Sequence, residues 1–291
     1  MDPENGFTPA FYDMIGGGGI IPDRRSTEMA PEKRDPPQAA GVQRYFQKIY
    51  ADYQTSVEKA PVLDVHQRIK RVIEPRLAGI VVDVGSGGDT RHRSPAITAL
   101  ISVDNVLEFL QHAKDPAALN AAGDVRALPF KKESVDRIVI QFVVHHLTDE
   151  GLAGTLRNVK AAISESARIL KPGGRIFIVD SMTWRPLDML QRAVYPMSRA
   201  ILHGFGRPMV FILSASSLVR LCAESGLAAA RPVIVDWGAM TDLSQALFPN
   251  LRFPLRYTPA RLTILEAVRR TDEGPPDRRK ERTGVLSAGR D

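Results

Sequence analysis

The sequence predicts an α/β chain built on a doubly wound, mostly parallel sheet with helices on both faces, and three observations carry that prediction. Apolar runs at 81–84, 100–103, 135–144 and 175–179 alternate with helical stretches, the alternation from which parallel sheets are built. The runs are apolar at successive positions, as in strands covered on both sides. The first run passes straight into a glycine turn, V-V-D-V-G-S-G-G-D-T at 81–90. Such a turn is how a parallel sheet brings backbone to a nucleotide-like ligand, because glycine takes positive φ and lacks the Cβ that would hold the ligand off.

The 291 residues suit one α/β domain with extensions. A hydrophobic share of 44% and a charged share of 25% are those of an ordinary globular protein. No apolar run reaches the roughly 18 residues of a membrane span, and M-D-P-E is not the start of a signal peptide, so a cytoplasmic protein is expected. The single cysteine, Cys222, excludes an internal disulfide and a cysteine metal cluster and reads as a core thiol.

Residues 1–40 hold a four-glycine run, six prolines and mixed charge, and are expected to be a disordered extension; the tail 271–291 reads the same way. Four basic and seven acidic residues fall in the first segment and five of each in the tail. The domain at 41–270 therefore keeps 30 basic and 21 acidic residues. That surplus is spread along the sequence, which favours a solvated basic surface over a nucleic-acid stripe.

The domain opens with a helical pattern carrying Tyr45, Phe46, Ile49, Tyr50 and Tyr53 on one face. Plain core packing accounts for it, and so does a lid whose aromatics close over a ligand at the carboxyl ends of the strands. A second helix runs to Pro75. After the glycine turn, Pro95 keeps the first crossover short or irregular. Strand two ends at Asp104, about 20 residues beyond the loop, where a carboxylate accepts both hydroxyls of a ribose or caps the next helix. Asp124 follows at the end of strand three, able to accept from the exocyclic amine of adenine, with Val125 as an apolar face for the ring. Strand four reaches Val144, next to His145 and His146. A helix over 158–170 is stopped by Pro172, Gly173 and Gly174 before strand five.

Five motifs in this order, D-V-G-S-G at 83–87, Asp104, G-D-V-R-A-L-P-F at 123–130, the strand ending His145-His146-Leu147, and A-R-I-L-K-P-G-G-R at 167–175, resemble those of class I S-adenosylmethionine-dependent methyltransferases. The type is the small-molecule one with a methyltransferase 11-like domain. The resemblance implies a Rossmann-like, seven-stranded sheet with a helical insertion after strand five, its last two strands at 230–237 and 262–269. S-adenosyl-L-methionine is the implied cofactor. Asp83, Gly85, Ser86 and Gly87 would meet its methionine part, Asp104 and Asn105 its ribose, and Asp124 and Val125 its adenine, with Gln141 near the sulfonium. Asp89 replaces the family's third loop glycine, which loosens the implied fit around the cofactor's carboxylate.

Methyl transfer asks for alignment, exclusion of water and removal of a proton where the nucleophile carries one. His145 and His146 stand where a base would be needed; they serve equally as structural residues. They are not expected to bind a metal, since neighbours on a strand point apart. The insertion at 181–213 is the expected substrate-binding element, with Trp184 and Tyr195 joining Tyr50 and Tyr53 as its aromatic contacts. The same apolar side chains suit core packing or a homodimer. Arg185, Arg192, Arg199 and Arg207 either meet an anionic substrate group or form a solvated helix face. The expected reaction is methylation of O, N or C of a small apolar or aromatic metabolite. Methylation of RNA or a carrier-bound acyl group, or a non-catalytic scaffold, is the alternative.

Overall fold

A computed structural model describes residues 37–48, 60–87, 92–113, 118–235 and 260–271. Tyr50, Tyr53, the extension before residue 37 and the tail beyond residue 271 lie outside the described residues. In chain order the elements are α1 (Pro37–Lys48), α2 (Ala60–Ile73), β1 (Gly79–Val84), β2 (Ile97–Asp104), α3 (Leu107–Gln111), β3 (Ala118–Ala122), β4 (Val135–Gln141) and α4 (Leu152–Ile169). They continue with β5 (Leu170–Met182), α5 (Arg185–Ala193), α6 (Tyr195–Gly204), α7 (Ala215–Glu224), β6 (Leu227–Ala229), β7 (Val233–Ile234) and β8 (Arg261–Arg269).

The strands form one sheet in the order β3-β2-β1-β4-β5-β8-β6, with β7 also on β8. The pairs from β3 to β5 are parallel, and β8 runs antiparallel to β5, β6 and β7. β6 pairs with the Ala267–Arg269 end of β8 and β7 with Ile264 and Thr263, so the two short strands share one row. Seven rows result, as expected, but the sixth is broken. Pro232, which has no N–H to give a ladder, lies in the break, where the amide of Ala230 donates to Glu266 O.

Alternation along the strands explains the two covered faces. Val82, Ile101, Ile138 and Ile178 enter one core with Val159 and Ile163 of α4 and Leu218 of α7. Their neighbours Val81, Leu100, Val139 and Val179 enter the other, against Val65, Ile69 and Ile73 of α2. The spacing of four in α2 stacks those three on one helix stripe, and each is buried. Cys222 points from α7 into the first core, and burial pushes its thiol up to about 12.

The order of strands reverses between β1 and β4, which makes their carboxyl ends the crevice of the sheet. Three boundaries differ from expectation there. β2 starts at Ile97, just after Pro95. Helix α4 begins at Leu152, six residues before the expected start. β4 stops at Gln141 because Phe142 adopts φ +57°, and Val144–His146 wind into a 3-10 turn. Among the described residues no helix is long and apolar enough to cross a membrane.

Candidate active site

β1 delivers its glycine turn into that crevice. Gly85 holds φ +72°, and a Cβ there would lie 2.1 Å from Val143 Cγ2, so the turn needs glycine to pack against the end of β4. The Gly85 amide donates to Val103 O at 2.7 Å. Gly87 takes φ +60°, and its amide donates to Asp104 Oδ2 at 3.0 Å. Ser86 Oγ lies 2.5 Å from Ser102 Oγ. The loop is thus sewn to the tip of β2.

Asp104 sits at that tip, buried, with Oδ1 accepting from the Val106 amide at 2.9 Å. Desolvation is the largest influence on it and raises its pKa above the usual carboxylate value, against the backbone donors that lower it. Both sequence readings of Asp104 are compatible. The backbone amides of Gly87, Asn105 and Val106 hold the carboxylate and start the turn into α3, and two carboxylate oxygens offer more acceptor capacity than these donors use.

A cavity of about 400 Å³ opens beside it. Asp83, Gly85, Ser86, Gly87, Asp104, Asn105, Asp124, Val125 and Gln141 all line it. Every residue that the resemblance implied for the cofactor therefore lines one cavity. Asp124 is not idle: Arg126 Nε bonds its two oxygens at 2.9 and 3.1 Å. Burial would raise its pKa, but the bonds to Arg126 and the guanidinium charge prevail and lower it.

The sequence reading missed several lining groups. His92 Nε2 lies 3.3 Å from Asp83 Oδ2, both side chains buried, and among the described residues Asp83 Oδ1 and His92 Nδ1 have no hydrogen-bond partner. From α2, His66 Nδ1 accepts from Gln141 Nε2 at 2.7 Å, with Gln67 and Lys70 nearby on the wall. These contacts join residues 75 apart, or lie in a crossover without a motif. For His66, a polar residue in the middle of an amphipathic helix is the only signal the sequence carries.

The histidine pair departs from expectation. The two residues occupy the 3-10 turn, not a strand, so their rings do not point apart: the centroids are 4.0 Å from each other. His146 lines the cavity and meets Phe46 edge-on at 5.0 Å. Burial, then the neighbouring His145, lowers its pKa well below 6.5, which keeps it neutral near pH 7. His145 turns away to Asp180, a buried carboxylate at the end of β5, with Nδ1 2.6 Å from Oδ1 and its amide donating to Oδ2 at 3.2 Å. Of the two candidate bases only His146 reaches the cavity. Among the described residues no cluster of three metal-binding side chains occurs.

α1 closes the cavity. Val42 and Phe46 line it; Gln43 Nε2 donates to Asn105 O at 2.6 Å, Gln47 Nε2 reaches Glu108 at 3.2 Å, and Arg207 donates to Tyr45 Oη at 2.6 Å. One helix is thus fastened both to the tip of β2 and to the insertion, with Phe46 on the cavity.

The insertion itself corrects two expectations. Tyr195 is 1% exposed, with its hydroxyl engaged by Thr155 Oγ1 and Asp149 O, so it packs as core. Trp184 is 59% exposed and lies outside the cavity wall. Arg192 is spent on Asp188, which also accepts from the Ser214 amide and the hydroxyls of Ser214 and Ser217. Burial would raise the pKa of Asp188, but these donors outweigh it and hold the group at about 2.

Residues 82–178 match the family model described as "Methyltransferase domain". The demethylmenaquinone methyltransferase of Streptomyces griseus is 28% identical over 162 residues, which cover 52% of this chain. The chain spans only 65% of the length of that relative. Among solved structures, the N-methyltransferase NodS of Bradyrhizobium japonicum, in complex with S-adenosyl-L-homocysteine, superposes with a TM-score of 0.50 at 12% identity, covering 79% of this chain and 98% of its own. The [4+2]-cyclase SpnF superposes with a TM-score of 0.57 at 12% identity, covering 82% and 98%. Over residues 82–178 the chain therefore matches a methyltransferase domain, and the two superposed structures share its fold.

Proposed function

We propose that the chain is an S-adenosylmethionine-dependent methyltransferase whose acceptor is a small apolar, aromatic molecule of the quinol type. The observation that carries the reading is the Asp104 carboxylate, buried in the cavity wall beside the glycine loop, whose Gly87 amide donates to it. The cofactor fits the residues present. Asp104 suits its ribose hydroxyls, while the unpartnered Asp83 Oδ1 and His92 Nδ1 in the wall suit its polar amino-acid end. Val125 and Phe109 supply apolar surface for its ring. Asp124 would meet the ring amine with the oxygen capacity that Arg126 leaves.

When bound, the cofactor supplies an electrophilic methyl group on a sulfonium. The protein's part is placement and dryness. Gln141, fixed by His66, and Phe142, held in its left-handed turn, would border the acceptor. α1 would exclude water above it with Val42 and Phe46. His146 is neutral and could take the acceptor's proton at Nε2, since Nδ1 is buried without a partner. His145 would then act only through position, anchored by Asp180. The quinol class is supported by the demethylmenaquinone methyltransferase relative and by the apolar lining contributed by Phe46, Phe142 and Val143.

The test is transfer of labelled methyl from S-adenosylmethionine to a panel of short-chain demethylated naphthoquinols, phenols and amines. Turnover of the quinols above the amines supports the reading, and binding of cofactor without transfer to any member removes it. The likeness to a cyclase favours a second reading, a cavity that uses the same fold for a reaction without methyl transfer. In that case the cofactor would bind and remain unconsumed while an acceptor is converted.

A further inference from the structure

α5 is turned inside out, and α6 shows apolar side chains on its outer as well as its inner side. The inner side of α5 carries Asp188, Gln191 and Arg192, which bond Ser214, the Ile212 backbone and one another, while Met189 and Leu190 face outward. On α6 the inner side holds Tyr195, Ser198 and Leu202, and Met197 and Ile201, four apart, face outward. Trp184 before α5 and Phe205 after α6 extend the same exposed set. The six side chains Trp184, Met189, Leu190, Met197, Ile201 and Phe205 are each 50–69% exposed. A helix in water normally hides such residues and shows the polar ones, and a contiguous apolar patch on a surface marks a contact.

The charge within the segment itself is one-sided. Residues 184–213 contain Arg185, Arg192, Arg199 and Arg207 against a single carboxylate, Asp188, which is buried and already neutralised by Arg192. Arg185 is exposed, and Arg199 Nε is buried with no hydrogen-bond partner among the described residues. Exposed apolar side chains on a segment with a surplus of arginine, Arg185 exposed beside Trp184, are complementary to an anionic lipid surface, where the side chains enter the acyl boundary and the cations meet phosphate.

We propose that the outer face of α5 and α6 docks the protein on an anionic lipid bilayer, lying in its interface without crossing it. The placement has a consequence for the cavity. Arg207, at the end of this segment, holds Tyr45 of α1, and Met209 O accepts from Thr148 in the cavity wall. The docking face therefore adjoins α1, and an apolar acceptor dissolved in the bilayer reaches the cavity from that side. The proposal stands on the surface alone and does not depend on which acceptor is methylated.

The experiment is flotation of the full chain with phosphatidylcholine vesicles, with and without phosphatidylglycerol, together with a Met197→Gln/Ile201→Gln variant and, separately, Arg185→Gln. Wild type should float with the anionic vesicles and much less with the neutral ones, and raised salt should weaken it. The double variant should lose about tenfold or more of that binding, the apolar area it withdraws from lipid setting the size. Its melting temperature and S-adenosylhomocysteine affinity should be unchanged. If the double variant does not fold, Arg185→Gln decides, with a several-fold loss on anionic vesicles only. Absence of flotation by wild type, or flotation untouched by either change, overturns the proposal. So does a wild-type dimer in sedimentation that the double variant dissolves while neither protein floats, which would make the face a self-contact.

Discussion

Replacing Asp104 by asparagine should separate cofactor binding from folding. In the wild type the carboxylate accepts from the backbone amides of Gly87 at 3.0 Å and Val106 at 2.9 Å, with Asn105 beside them. Its remaining acceptor capacity would take the ribose hydroxyls. Asparagine keeps one acceptor oxygen and presents an NH₂ to the other amide, so one charge-assisted bond to the ribose vanishes and the other becomes neutral. At about 1.5–3 kcal/mol for a bond to a charged group, the affinity for S-adenosylhomocysteine should fall by roughly 2–4 kcal/mol, or about 30- to 1000-fold. Folding should suffer less. Burial raises the pKa of Asp104, so the folded protein holds its proton more tightly than the unfolded chain, and above the folded pKa the charge costs stability. Removing that charge offsets part of the clash between the two N–H donors, leaving the variant within about 1–2 kcal/mol of wild type. Calorimetric titration with S-adenosylhomocysteine and urea denaturation at pH 7 read the two quantities. An unchanged Kd refutes the ribose role, and equal losses in both measurements would mean that Asp104 acts only by holding the loop.

Gly85→Ala should destabilise the protein by about 2–4 kcal/mol, from the left-handed backbone and the overlap with Val143 Cγ2. In a Val143→Ala background the same change should cost only about 1–2 kcal/mol in denaturant titrations; an equal cost in both backgrounds would remove the contact from the account. Asp188, held at about 2 in the folded protein against 3.8 for an ordinary aspartate, should supply about 2 kcal/mol of stability that is complete above pH ~4 and lost as the pH falls towards ~2. The stability gap between wild type and Asp188→Asn should therefore close over that window, and a gap that persists at its lower end contradicts the ion network. Because the His146 pKa is depressed well below 6.5, transfer rates should show no rise from its deprotonation between about pH 6 and 8. A wild-type inflection in that range that disappears in His146→Gln would show an imidazole that titrates.

The part of the site carried by short spans of sequence was legible before the fold was known. The turn at 83–87 and Asp104 are set by local requirements, a glycine that must take positive φ and a carboxylate at a strand tip, and such requirements leave a pattern in consecutive residues. His66, His92 and Asp180 left none, because each acquires its role from a partner distant in the chain. The reading of His145 and His146 as strand residues failed at a single dihedral. Phe142 enters the left-handed region, where a bulky side chain is seldom found, and the turn that follows brings together two rings that a strand would have separated. Tyr195 shows another limit: an aromatic in an apolar segment looks the same whether it meets a ligand or closes the core. Only its bonds to Thr155 and Asp149 distinguish the two. The same ambiguity concealed the reversed amphipathicity of α5, whose sequence gives the stripe but not the side on which the rest of the protein lies.

The thiol of Cys222 gives the molecule a built-in clock for its own breathing. Thiolate is the reactive form, and with the group pushed up to about 12 inside the core, almost none exists near neutral pH while α7 stays seated. Alkylation must wait for an opening event, and as the only cysteine it yields one unambiguous signal. α7 packs beside the edge where β6 ends on β8, at the far side of the sheet from Asp104 and the glycine loop. A ligand in the cavity should therefore leave the alkylation rate unchanged if this edge peels off alone. It should slow the rate in proportion to its binding energy if the thiol is uncovered only when the whole domain comes apart.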